Sequence, residues 1–305
     1  MQQICALPNE QSLAGALYYT YEKKEGIVLI SKRQAFVWLS PFLVLMLLFF
    51  LVPLLYMLIT SFQNNGTFTL QQYQTILSNS YILQGFKNSI TLSVVSAFIA
   101  LIVTLFAVYA IMKFSEPMRE RILILTNLTS NFSGIPLAFA FIVLLGNSGL
   151  FTLLFDKWEI GILSSFSLYS WAGLLLIYVY FQLPLALMLL YPIYDGIQQQ
   201  WKEAAALLGA STLRFWMKIG IPVMLPGIVG TFSVLFANAM GAYASAYALT
   251  NSSYNLVAIR IGSLIKGDIF AQPELASAIA VLLAVTMVLA MLLSEWSIAK
   301  TRRKL

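Results

Sequence analysis

The stretch WKEAAALLGASTLRFWMKIGIP, from Trp201 to Pro222, is polar and partly charged, and it lies between two long segments that are neither. Ile160 to Tyr194 before it and Ile219 to Ile259 after it contain no Lys, Arg, Asp or Glu. The same is true of Gln34 to Phe86, Asn88 to Met112, Ile122 to Phe155 and Leu275 to Ser294, so the chain holds six uncharged runs of at least 18 residues. Each run can carry a helix of roughly 20 residues, enough to cross a hydrocarbon core of ~30 Å. The first is long enough for two, but Asn64, Asn65, Gln71, Gln72, Gln74, Ser78, Asn79 and Ser80 make its second half too polar for lipid. Six spans are therefore expected, over Ala35 to Phe62, Ser89 to Met112, Ile122 to Leu145, Phe166 to Tyr191, Met224 to Leu249 and Pro273 to Trp296. The composition agrees: 60% of the 305 residues are hydrophobic and 10% charged, against about 25% charged in a soluble domain.

The basic residues orient these spans, because Lys and Arg close to span ends stay on the cytoplasmic side. With the N-terminus inside, the cytoplasmic set is Lys23, Lys24, Lys32, Arg33, Lys113, Arg119, Arg121, Lys202, Arg214, Lys218, Lys300, Arg302, Arg303 and Lys304, which is 14 of 18. Lys87, Lys157, Arg260 and Lys266 remain outside. Both termini and the Trp201 loop are thus expected in the cytoplasm. The net charge of +6 reads as a topology signal. It does not read as a nucleic-acid surface, since the basic clusters flank spans and carry no interleaved stacking aromatics.

Several chemistries are excluded. The chain has no His and one Cys, Cys5, so it lacks the commonest general base and metal ligand and cannot form an internal disulfide. No Gly-rich phosphate loop ending in Lys-Ser or Lys-Thr is present, so any ATP that drives the process must be hydrolysed by another chain. Glu274 and Glu295 stand only at the two ends of the sixth span, and the interior of every span lacks an Asp, Glu, Lys or Arg that could relay protons or bind ions, which argues against a proton-coupled carrier. An intramembrane enzyme would need catalytic carboxylates, His or Ser-Lys pairs within the span interiors, and the uncharged runs hold none.

The Trp201 loop carries a more specific pattern. Glu203-Ala204-Ala205, three residues, Gly209, nine residues, then Ile219-Gly220-Ile221-Pro222 resembles the EAA loop of permease subunits of binding-protein-dependent ABC importers. That pattern reads EAA, three residues, G, nine residues, I-x-L-P, and only Ile221 replaces its Leu. Many members also have Asp directly before the Gly, where this chain has Leu208. The resemblance extends from about Phe86 to the end of the sixth span, including Phe181 to Leu190 and Ile219 to Pro226. It implies a type I permease fold whose loop inserts two short helices into a groove of an ATPase subunit. By that likeness Glu203, Ala204, Ala205, Gly209, Ile219 and Pro222 couple this chain to the ATPase. The residue types suit force transmission. Glu203 to Leu208 are strong helix formers, the alanines let a partner approach, Gly209 permits a sharp turn, and Pro222 is expected to end the second short helix.

The resemblance also implies partners: two ABC ATPase subunits that use ATP and Mg, a second permease subunit, identical or homologous, and an extracytoplasmic solute-binding protein. This chain itself is expected to bind no cofactor and no metal. The outer loops and Ala246 to Thr250 look closest to permeases of the polyamine group. Candidate path-lining residues are Asn127, Asn131 and Ser133 in the third span, Tyr178, Tyr180 and Gln182 in the fourth, and Asn238, Tyr243 and Tyr247 in the fifth. Amides and hydroxyls inside bundles also serve as interhelical hydrogen bonds, so each of these has a structural reading beside the functional one. Gly241 to Ala246 is small at nearly every other step and reads as a close-packing surface.

The sequence therefore predicts an all-α polytopic membrane protein: a cytoplasmic extension over 1–34, a six-helix permease domain over 35–296 with its coupling loop at 192–222, and a basic cytoplasmic tail over 297–305. Its expected place is the inner (cytoplasmic) membrane and its expected role is ATP-driven solute import. A stand-alone carrier or channel is the alternative.

Overall fold

The computed structural model of the chain describes residues 32–158, 166–251, 253–266 and 271–302. Residues 1–31 of the expected extension, with Cys5, lie outside the described residues, as do 303–305 of the tail. Among the described residues six helices are long and apolar enough to cross a membrane: Phe36–Thr60, Ser80–Ile111, Ile135–Lys157, Trp171–Asp195, Thr212–Met240 and Pro273–Ala299. The number matches the expectation, but several boundaries do not.

The chain divides into two units, Met1–Leu55 and Tyr56–Leu305. In the first, α1 (Lys32–Met46) passes through a π-helical turn, Leu47–Leu51, into the start of α2 (Val52–Thr60). The second unit begins with the end of α2 and a two-stranded hairpin, β1 (Gln63–Asn64) and β2 (Thr67–Phe68), paired Gln63 to Phe68 and Asn64 to Thr67. Asn65 and Gly66 make its two-residue turn, both at positive φ (49° and 82°), the backbone that an Asn-Gly hairpin turn requires.

Next come α3 (Gln71–Ser78) and the 32-residue α4 (Ser80–Ile111). The second span thus starts well before the expected Ser89. Asn79 caps it, its side-chain oxygen accepting from the backbone N–H of Tyr81 (3.0 Å) and Ile82 (3.4 Å), so the polar residues that follow are held in helix despite being unsuited to lipid.

The expected third span, Ile122 to Leu145, is interrupted. The chain forms α5 (Glu116–Ser130), breaks, and resumes as α6 (Ile135–Leu145) and α7 (Leu150–Lys157). Gly134, at φ 76° and ψ −141°, occupies a backbone region essentially closed to other residues. Pro136 then supplies the fixed φ that starts a helix. The fourth span, α8 (Trp171–Asp195), lies a few residues later than expected.

After α8 come α9 (Gln199–Leu207), α10 (Thr212–Phe215) and a π-helical turn, Trp216–Gly220, that runs directly into α11 (Ile221–Met240). Pro222 therefore does not end the second short helix. It sits in the first turn of α11, where its missing N–H costs little, while the N–H of Ile221 bonds to the carbonyl of Trp216 in the wider π register. The expected fifth span to Leu249 is also split, because α11 stops at Met240 and α12 (Ala244–Thr250) follows a break. Two helices complete the unit: α13 (Val257–Lys266) and α14 (Pro273–Arg302).

The α4–α8 pair forms the most extensive helix contact. Ser89, Ser93, Ser96, Ala97, Ala100 and Thr104 are all buried on α4 and recur at three- and four-residue spacing, a stripe of small side chains that lets a neighbouring backbone approach. Gln182 of α8 is fully buried there and donates to Ser96 Oγ (2.8 Å) and to its own helix at the Tyr178 carbonyl (3.0 Å).

Candidate functional site

Two regions carry the functional geometry. The first is the Trp201–Pro222 loop. At the end of α9, the N–H of Gly209 bonds to the Ala206 carbonyl (2.9 Å) and that of Ala210 to the Ala205 carbonyl (2.9 Å). These are the paired bonds of a Schellman helix end, with Gly209 as the left-handed residue at φ 75°. A Cβ built at Gly209 would meet nothing within 4 Å, so glycine is required there by the backbone angle and not by space. Ser211 then caps α10, its hydroxyl accepting from the Arg214 N–H at 3.3 Å.

The loop is anchored on one side and bare on the other. Ala205 and Phe215 are buried in the cluster that holds Ala97, Val108, Leu190 and Tyr194. Glu203, Ala204 and Gly209 face outward. Beside them Leu207 and Leu208 are 90% and 88% exposed, a large apolar surface for the tip of a polar loop. Of the six loop residues singled out by sequence, Glu203, Ala204, Gly209 and Ile219 are exposed, whereas Ala205 packs inward and Pro222 is half-buried.

The second region is an open cleft of about 890 Å3, built where the two interrupted helices meet. Ser133 and Gly134 come from the break before α6, Asn238 from α11, and Gly241, Tyr243 and Ser245 from the break before and start of α12. Ser245 donates its hydroxyl to the Gly134 carbonyl (3.3 Å), and a Cβ at Gly134 would lie 3.5 Å from that of Ala244. Irregular backbone at membrane depth is tolerated where it is buried in protein or lines a cavity, and paired discontinuous helices mark binding regions in transporters. Met287 and Met291 of α14 close another side with deformable apolar surface.

The expected path residues divide between these surroundings. Ser133, Asn238 and Tyr243 line the cleft. Tyr247 stacks on Tyr243 (ring centroids 5.2 Å apart), with the Lys266 ammonium 3.0 Å from the Tyr243 hydroxyl and 4.4 Å from the Tyr247 ring. Asn127 and Asn131 are exposed, Asn131 Nδ2 donating to the Asn127 carbonyl at 2.9 Å. Tyr180 packs edge-on against Phe141. Tyr178 donates to the carbonyl of Ala242 (2.9 Å), which itself lines the cleft, but Tyr178 and Gln182 are buried between helices and do not line it. Sequence reasoning missed Ser130, Gly134, Ser245 and the two methionines. The signal for Gly134 and Ser245 was present in Gly134-Ile135-Pro136 and in the small run from Gly241, whose broken helix was read as mere close packing.

Residues 104–303 match the family described as the binding-protein-dependent transport system inner membrane component. The chain belongs to that family. Over 263 residues it is 25% identical to the spermidine/putrescine transport system permease protein PotC of Escherichia coli, covering 83% of this chain and 90% of that protein. It is 26% identical over 244 residues to the putative ferric transport system permease protein FbpB 1 of Haemophilus influenzae, covering 77% of this chain and 37% of that one. Its fold is that of a subunit in the crystal structure of a bacterial ABC transporter that imports the acidic polysaccharide alginate, at a TM-score of 0.68, 17% identity, and coverage of 94% of this chain and 99% of that one. It is thus a multi-pass permease subunit of binding-protein-dependent ABC import, of type I fold.

Proposed function

We propose that this chain forms half of the translocation pathway of an ATP-driven importer, with the cleft at the α5–α6 and α11–α12 breaks as its share of the path. A second permease subunit would complete the path, and an extracytoplasmic binding protein would deliver a small solute to it. ATP and Mg would be used by two ATPase subunits bound at the α9–α10 loop on the cytoplasmic side, the side that also holds both termini. The observation that carries the coupling role is the two-faced loop: Ala205 and Phe215 fix it to the bundle, while Glu203, Ala204, Leu207 and Leu208 stand clear for a partner. A rigid, well-anchored helix with a bare apolar tip transmits displacement, whereas a floppy one would absorb it.

A polyamine is the solute that the PotC likeness supports for this chain. Reconstitution of the chain with its proposed ATPase, second permease and binding protein tests both readings. ATP hydrolysis is expected from the complex and not from this chain alone, with uptake of labelled spermidine or putrescine only when ATP is supplied. Uptake by this chain without an ATPase would establish the stand-alone carrier instead. ATP-driven uptake that labelled polyamines neither enter nor inhibit would retain the importer and remove the polyamine.

A further inference from the structure

A second cavity lies apart from the cleft, between α4 and α11 at the end of the bundle that bears the coupling loop. It is an apolar groove of about 470 Å3 with Ile102, Phe106, Ile221 and Ile228 among its walls. Phe106 is 72% exposed and Ile221 49%, so the groove opens to the outside of the bundle. Three aromatic rings close its end: Tyr109, Tyr194 and Trp216, with centroids 6.4 Å (Tyr109 to Tyr194), 6.0 Å (Tyr109 to Trp216) and 5.0 Å (Tyr194 to Trp216) apart. Over this layer stand two ammonium groups. Lys113 Nζ lies 4.4 Å from the Tyr109 centroid, and Lys202 Nζ lies 5.6 Å from that of Trp216 and 6.0 Å from that of Tyr194. Among the described residues neither ammonium forms an ion pair.

An aliphatic groove, then an aromatic layer, then two cations set on those rings is the order of chemistry along a phospholipid from acyl chain through interface to headgroup. We propose that this groove binds one anionic phospholipid, with an acyl chain along Ile102, Phe106 and Ile228 and its phosphate between Lys113 and Lys202. A zwitterionic lipid fits less well, because its own cation opposes the two lysines. The consequence reaches the coupling loop, since Lys202 directly precedes Glu203 and Trp216 opens the π-helical turn into α11. A bound lipid would tie that loop to α4, and its role there rests on the coupling function proposed above.

Lipid binding is measured without transport, so its failure is distinguishable from failure of the importer reading. The chain, extracted in neutral detergent with the subunits it retains, is titrated with phosphatidylglycerol or phosphatidylcholine of matched chains and followed by native mass spectrometry. Phosphatidylglycerol is expected to bind preferentially. One lysine near an anionic group contributes about fivefold, so Lys113→Gln with Lys202→Gln should weaken binding roughly thirtyfold, while Lys113→Arg with Lys202→Arg should preserve it. If the double Gln variant folds poorly, each single substitution should still weaken binding about fivefold. Equal retention of the two lipids by the wild-type chain, or undiminished phosphatidylglycerol binding by the Gln variants, overturns the proposal. So does loss of association with a second permease copy at unchanged lipid retention, which would make the groove a protein interface.

Discussion

Ser245 donates its hydroxyl to the carbonyl oxygen of Gly134 at 3.3 Å, joining two positions 111 residues apart in sequence. Each stands at a point where a helix is interrupted, and the bond holds the two interruptions face to face. The same carbonyl also accepts the Ala138 N–H that opens α6 (3.1 Å), so Ser245 adds a second bond to it and ties the start of α12 to the start of α6, and the cleft opens beside the pair.

Ser245→Ala should therefore cost about 1 kcal/mol of stability, and Gly134→Ala should cost more, on the order of 1–3 kcal/mol, because its backbone angles suit only glycine. Both variants should lower ATP-driven uptake in proteoliposomes. An uptake rate for Gly134→Ala equal to wild type would detach the break from the path.

At the coupling loop, Gly209→Val forces a β-branched side chain into left-handed backbone, a cost of about 1–2 kcal/mol, and should unwind the Schellman end of α9. Glu203→Lys reverses an exposed charge without touching the core. Both should reach the membrane in near-normal amounts yet lose ATPase association and transport. Arg214→Gln, an exposed charge in the same loop, should be mild, since such charges contribute about 0–1 kcal/mol. Co-purification of the ATPase with each variant checks this; normal coupling in both Glu203→Lys and Gly209→Val removes the loop from the role.

The buried amide and the cleft amide should separate in kinetics. Gln182→Leu removes the bond to Ser96 but also the desolvated Gln182 Oε1, which has no hydrogen-bond partner. Stability should shift by about 1 kcal/mol or less, and the KM for uptake should stay put. Asn238→Ala, at the cleft wall, should raise KM about fivefold if its amide bonds the solute. The reverse pattern would move the path into the α4–α8 seam.

Topology is accessible to thiol labelling in a chain whose Cys5 has been replaced by Ser. A cysteine at exposed Ser78 should react with an impermeant reagent added from outside. One at Leu213, 70% exposed in the loop, should react only after the membrane is opened. Outside labelling at Leu213 would invert the orientation drawn from the basic residues.

Six spans, the all-α class and the turn at Gly209 were all legible in the linear sequence. These features depend on local quantities: the length of an uncharged run must match the bilayer, and a glycine after a run of helix formers ends a helix whatever surrounds it. The interruptions of the third and fifth spans were half legible. Gly134-Ile135-Pro136 and the small run from Gly241 punctuate their segments, but charge counting is blind to breaks that carry no charge. What only the tertiary structure decided was which polar side chain served which purpose. Tyr178, Gln182, Ser133 and Asn238 are alike as uncharged polar residues in apolar segments. Two point into helix seams and two into the cleft, because the small stripe on α4 draws α8 close while the paired breaks before α6 and α12 leave the cleft beside them. That difference is set by contacts between residues far apart in the chain, and no local pattern encodes it.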